Sequence, residues 1–125
     1  MYSDFKDLTA YKKGFEQAMN IFTLSKKFPS EEKYSLTDQI RRSSRSVCTN
    51  IAEAYRKRIY PKHYFSKITD CLGENSETEV WIDFAYNCDY ISALQHEEFC
   101  KLNKEVGKLL TYMYNNPDKF GVNEV

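Results

Sequence analysis

Glycine and proline are scarce in this chain, with four Gly and three Pro in 125 residues. That scarcity argues against a fold of many strands and tight turns and suits long helices. No apolar run approaches the length of a membrane span, and the opening stretch MYSDFKDLTAYKKGFEQ contains no apolar signal region. The four cysteines, Cys48, Cys71, Cys88 and Cys100, lack the two-to-four-residue spacing of a zinc or redox motif. The thiols are expected to be reduced, in a cytoplasmic protein. There is no Gly-rich phosphate loop, no G-x-S-x-G and no H-E-x-x-H. The Glu-x-x-His pairs from which metal sites inside helical bundles are built are missing as well. Only two histidines occur, His63 and His96, and both read as surface residues. Cys48, near Arg41 and Arg45, has no histidine placed to serve it. The sequence therefore predicts no catalytic residue, no metal site, no cofactor and no small-molecule substrate.

Net charge is absent too: 18 Lys and Arg balance 18 Asp and Glu. Nothing global argues for nucleic acid or a membrane. The charges are nonetheless segregated. Residues 41–67 hold eight Lys or Arg and one acid, Glu53, whereas residues 70–98 hold eight acids and no Lys or Arg. A neutral molecule of this kind can carry a basic patch. The competing reading is that a basic second helix pairs with an acidic third one.

What is present is helical periodicity. A hydrophobic content of 42% suits one globular domain over residues 1–125, and the length allows a core without staples. Ten Tyr and eight Phe suit half-buried contact surfaces. Four helices are predicted, at about residues 7–27, 36–58, 61–89 and 96–116. Short connections then predict an all-α, up-down-up-down four-helix bundle. Asp7 is the expected cap of helix 1, whose inner stripe reads Leu8, Tyr11, Phe15, Ala18, Met19 and Phe22. Phe28-Pro29 ends that helix. Residues 30–33 offer a further turn, and Pro61 fits the first turn of helix 3. Gly73, mid-helix, suggests a close helix crossing. The inner residues of helix 4 read as Phe99, Leu102, Val106, Leu109, Leu110 and Met113. Residues 1–6 form a lead-in and residues 118–125 a loose tail.

Helix 2, QIRRSSRSVCTNIAEAYRKR, organises the rest. At 100° per residue it shows three faces. Leu36, Ile40, Val47, Ile51 and Ala54 form an apolar stripe. Gln39, Arg42, Ser46, Asn50 and Glu53 form a polar stripe at its edge. Arg41, Arg45 and Arg56 lie on a third face. In helix 3 the inner stripe reads Tyr64, Ile68, Leu72, Asn75, Glu79, Ile82 and Tyr86. A carboxylate there needs a partner, and Arg42 and Asn50 are the expected partners of Glu79. A second apolar stripe, Trp81, Phe84 and Cys88, lies nearly opposite and is expected to be an oligomer interface.

Several of these residues carry a family resemblance. Gln39-Ile40-Arg41-Arg42, Ser46-Val47 and Asn50-Ile51-Ala52-Glu53 resemble the signature of the small bacterial four helix bundle protein family. That family is also named for the protein encoded in the intervening sequence of 23S ribosomal RNA genes. Phe28-Pro29 with Glu32 and Tyr34-Ser35-Leu36 resembles its FPxxExYxL segment. Gly73, Glu77 and Glu79, then Ala85 and Tyr90-Ile91, resemble its third helix. The family has Ala-Ala where this chain has Ser43-Ser44, Gly at Ala54 and Ser at Glu74. Ala54 is expected to let helix 2 run on through Arg56, Lys57 and Arg58. The resemblance spans about residues 5–115. It implies a homopentamer of four-helix bundles with a proposed link to ribosomal RNA. A related branch resembles accessory proteins of diversity-generating retroelements, which bind nucleic acid and a reverse transcriptase.

The expected nucleic-acid-binding residues are Arg41, Arg45, Arg56, Lys57, Arg58 and Lys62, with Lys67, Tyr55 and Tyr60 nearby. Arginine binds phosphate bidentately and tyrosine stacks on unpaired bases. The alternative is a protein-interaction scaffold with no nucleic-acid role, in which the basic face is merely solvated.

Overall fold

The computed structural model describes residues 4–123, and among them there are four α-helices and no strand. The helices are α1 (Thr9–Ser25), α2 (Leu36–Arg56), α3 (Pro61–Asn87) and α4 (Ala93–Asn115). Each packs on its chain neighbours, and α1 also packs on α4, so the four close a ring. Short 3-10 turns occur at Phe5–Asp7, Ser30–Glu32 and Pro117–Phe120.

The helix boundaries follow from local chemistry. Asp4, rather than Asp7, acts as a cap: its Oδ1 accepts from the Lys6 amide at 3.2 Å, and α1 starts only after Leu8. Glu32 organises the start of α2. Its Oε1 accepts from the Ser35 hydroxyl at 2.6 Å and the Leu36 amide at 3.2 Å, and its Oε2 accepts from the Tyr90 hydroxyl at 2.7 Å. One carboxylate thus serves orphan donors at a helix N-terminus and ties in the α3–α4 connection. Phe28 packs beside the Tyr90 ring, with centroids 5.7 Å apart. Pro61 does occupy the first turn of α3. The α4 helix begins three residues earlier than predicted, because Ser92 and Gln95 make a capping box with reciprocal bonds of 3.1 and 2.9 Å.

The core has two apolar clusters. One joins Leu8 and Ala10 of the α1 end to Val47, Ile51, Tyr64, Ile68, Val106, Leu110 and Met113. The other joins Ile21, Phe28, Leu36, Ile40, Ile82, Ala85 and Ile91. A buried polar layer also spans the interior, linking α1, α3 and α4. The Gln17 amide donates to Asn75 Oδ1 at 3.0 Å, and the Asn103 amide donates to Gln17 Oε1 at 2.9 Å. Asn75 in turn donates to the Asn103 carbonyl at 2.9 Å. Ser43 and Thr78 join α2 to α3 by a hydroxyl bond of 2.8 Å. Every buried polar side chain in this layer has a partner, which is what a low-dielectric interior demands.

Four expectations are corrected. In α1, Phe15 and Met19 face solvent, and the packed face is Ala10, Gly14, Gln17, Ala18, Ile21 and Ser25. The lack of a side chain at Gly14 lets α1 approach α2 closely. A Cβ on Gly14 would lie 3.5 Å from both Val47 Cγ1 and Cys48 Sγ. Gly73 faces open space, so the close crossing is not there. The buried line of α3 is Tyr64, Ile68, Cys71, Asn75, Thr78, Ile82 and Ala85; Tyr86 is exposed and Glu79 lies at its margin. Finally, the segment after α4 is anchored. Phe120 is buried, and Asn123 N donates to the Arg58 carbonyl at 3.2 Å. Residues 1–3 of the lead-in and 124–125 of the tail lie outside the described residues.

Candidate nucleic-acid interface

The α2 helix has one buried arc, two flanks and one outer face. Leu36, Ile40, Val47, Ile51 and Ala54 are buried as predicted, joined by Ser43, Ser44, Cys48 and Tyr55. The polar stripe faces α3. Arg42 Nη1 bonds Glu74 Oε2 at 3.0 Å, and its Nη2 bonds Glu77. Lys67 Nζ lies 2.7 Å from Glu53 Oε2 and donates to Asn50 Oδ1 at 3.4 Å. Its bond to Glu53 raises the Lys67 pKa. Gln39 accepts from Arg42 Nε at 3.3 Å, and Ser46 is half-buried beside this row. The expected pairing of Glu79 with Arg42 or Asn50 is not made within the chain. Glu79 meets Lys104 of α4 at 3.5 Å instead, a partly exposed pair. Basic α2 therefore does pair with acidic α3 through Arg42, while Lys67 of α3 pairs in the reverse sense with Glu53 of α2.

On the opposite flank, Arg41 turns toward α1. Its Nε donates to Ser25 Oγ at 2.7 Å, and its guanidinium lies 4.9 Å from the Phe22 ring centroid. Arg45 also reaches over Phe22, at 5.7 Å, yet stays exposed. Both line a groove of about 560 Å³ with Lys33, Tyr34, Thr37 and Arg42. Tyr34 is 84% exposed at its rim, with Lys33 Nζ 5.3 Å from its ring centroid. An exposed ring among cations can stack a base while the cations hold phosphate.

Beyond Ala54 the predicted cluster divides. The α2 helix ends at Arg56, so Lys57 and Arg58 lie past it. Arg58 is a structural residue. Its Nε donates to the Tyr55 carbonyl at 2.7 Å, its Nη1 to the Phe120 carbonyl at 3.1 Å, and its guanidinium stacks 3.6 Å from the Tyr55 ring centroid. Sequence reasoning missed this because the partner lies 62 positions away. By contrast, Arg45, Arg56, Lys57 and Lys62 make no ion pair among the described residues. Arg56 and Lys57 also line a small pocket with Phe5, Ala52 and Glu53.

Of the three residues expected at an oligomer interface, Phe84 and Cys88 are exposed and Trp81 is not. Trp81 is half-buried against the Ile21–Ile82 cluster, and its indole N–H is buried without an acceptor among the described residues. The outward stripe is Val80, Phe84 and Cys88, four apart, with Val80 48% and Phe84 53% exposed. Burial pushes the Cys48 thiol up to about 11, away from the thiolate form.

No helix among the described residues is long and apolar enough to cross a membrane. No curated protein matches the chain significantly. A crystal structure of a protein of unknown function from the S23 ribosomal protein family of Bacteroides thetaiotaomicron is similar at 31% identity. The match covers 88% of this chain and 98% of that one, with a TM-score of 0.79. The 23S rRNA-intervening sequence protein family matches residues 6–112. The caps, core stripes and α2–α3 ion pairs are thus arranged on a shared fold, and the chain belongs to the 23S rRNA-intervening sequence protein family.

Proposed function

We propose that this protein is a non-enzymatic, cytoplasmic nucleic-acid-binding accessory protein associated with ribosomal RNA. In this reading it acts as a ring-shaped homopentamer of up-down-up-down bundles. The observation that carries it is the division of the basic residues. Arg42 of α2 is neutralised by α3 and Lys67 of α3 by Glu53 of α2, whereas Arg45 is left over in the groove with the exposed Tyr34, and Arg56, Lys57 and Lys62 are left over around the α2–α3 connection that carries the exposed Tyr60. Four cations are a weak patch in one copy. Repeated around a ring they become a strong one, because each phosphate neutralised releases counterions. Tyr34 and Tyr60, both exposed, favour single-stranded or looped RNA, whose bases are free to stack.

The ring has support in two exposed faces. A closed ring of more than two copies requires a heterologous contact, that is, two different patches on each subunit. Val80 and Phe84 on α3 supply one, and Phe15 and Met19 on α1 supply the other. The α1 and α3 helices are not adjacent in the bundle, so the two patches lie on separate faces of it. A gel-shift titration with structured RNA at rising salt tests the function. Binding that weakens steeply with salt supports it, and its absence favours the second reading. That reading is a protein-interaction scaffold with no nucleic-acid role, or an accessory to a retroelement reverse transcriptase.

A further inference from the structure

A cluster outside the basic face joins α3 to α4. His96 Nε2 lies 2.8 Å from Asp83 Oδ1 and 3.5 Å from Cys100 Sγ. The three ligand atoms all fall within 4.8 Å of one another. His96 and Cys100 are four apart on α4 and so share a face. Tyr86 stacks on the imidazole, with centroids 4.5 Å apart and planes 28° from parallel, which fixes the ring's orientation. Asp83 is exposed and the other two are half-buried, so the cluster is reachable from solvent.

Two chemistries compete for such a trio. A Cys–His–Asp relay uses the two different ring nitrogens, one for the nucleophile and one for the carboxylate. Here both neighbours converge on Nε2, so that relay cannot operate. A metal ion can instead take all three groups as ligands, because coordination deprotonates a thiol. We propose that Asp83, His96 and Cys100 bind a divalent transition-metal ion of the zinc class. Zinc holds N, O and S ligands at about 2.0–2.3 Å, which sets tetrahedral ligand atoms roughly 3.3–3.6 Å apart. The observed separations need only small side-chain movement to reach this. One thiolate and one carboxylate neutralise the dication, and thiolate with imidazole favours zinc over magnesium or calcium. Three protein ligands leave a fourth position for water or an incoming ligand. The ion would clamp the end of α3 to the start of α4.

Cobalt(II) titration of the purified protein tests this, because a cobalt–thiolate bond absorbs in the near ultraviolet. The expected result is a saturable charge-transfer band at one ion per chain, displaced by zinc. Cys100→Ser and His96→Ala should abolish it, while Cys88→Ser leaves it intact. Zinc should also raise the melting temperature of the parent and not that of Cys100→Ser. No band, or a band that survives Cys100→Ser, would overturn the proposal. Circular dichroism on each variant separates lost binding from lost folding.

Discussion

Asn75 and Asn103 exchange side-chain amides across the interior: each donates to the other's backbone carbonyl, at 2.9 and 3.0 Å. Gln17 completes the set from α1. Helix carbonyls are normally engaged within their own helix, so this reciprocal pair locks α3 and α4 at one register. A one-residue slip would strand several buried amide groups, each costing about 1–3 kcal/mol. Asn103→Ala should therefore destabilise by at least that amount in urea denaturation. Glu79→Ala, which breaks only a partly exposed ion pair, should cost below about 1 kcal/mol. Equal midpoints for the two variants would contradict this assignment.

The amide layer also marks how far the sequence could be read. Asn75 stood out because it interrupts an apolar stripe, but its partners sit 58 and 28 positions away on other helices. Periodicity reports which residues share a face of one helix and says nothing about what faces them. The α2 helix was legible because its core residues are large and apolar. The α1 helix was not, because apart from Ile21 its packed face is built from Ala, Gly, Gln and Ser, and ranking by hydrophobicity turned Phe15 and Met19 inward. The departures from the family pattern carry specific contacts here: Ser43 meets Thr78, and Glu74 meets Arg42. Of the predicted basic site, Arg45, Arg56, Lys57 and Lys62 remain available. Arg58 is occupied by the chain's own C-terminal segment, and Arg41 is shared with Ser25 and Phe22.

Arg58→Ala should act on stability. It removes the bonds to the Tyr55 and Phe120 carbonyls and the stacking on Tyr55, and a loss of at least about 2 kcal/mol is expected from two charge-assisted bonds and one cation–π contact. Faster limited proteolysis after α4 should accompany the lower melting temperature, while RNA affinity of the folded protein stays near that of the parent.

Glu32 should make stability depend on acid. Its bonds from Ser35 and Tyr90 hold its carboxyl below the ordinary range. A depressed carboxylate contributes stability that is present above its unfolded pKa and lost as pH falls through the folded value. Glu32→Gln should thus lower the melting temperature at neutral pH and flatten its decline on acidification. Parallel pH profiles for parent and variant would refute this role.

The ring can be tested from both sides. Phe84→Glu and Phe15→Glu should each break the assembly in light scattering, because each removes one half of a heterologous contact. Trp81→Glu should instead unfold the subunit, since Trp81 packs on the core. A parent that is monomeric at micromolar concentration would refute the ring outright.

The most direct test of the nucleic-acid reading is the salt dependence of RNA affinity in a variant with Arg45, Arg56, Lys57 and Lys62 all changed to Gln. These four make no ion pair among the described residues, so their removal should spare the fold and the assembly. Each cation that engages a phosphate contributes roughly 0.7 units of slope in log affinity against log salt for single strands and 0.9 for duplexes. The account predicts a steep parent slope, and a weaker, flatter one in the variant across all RNA sequences. A variant that binds with the parent's affinity and slope, or a parent that shows no salt-sensitive binding, would contradict it.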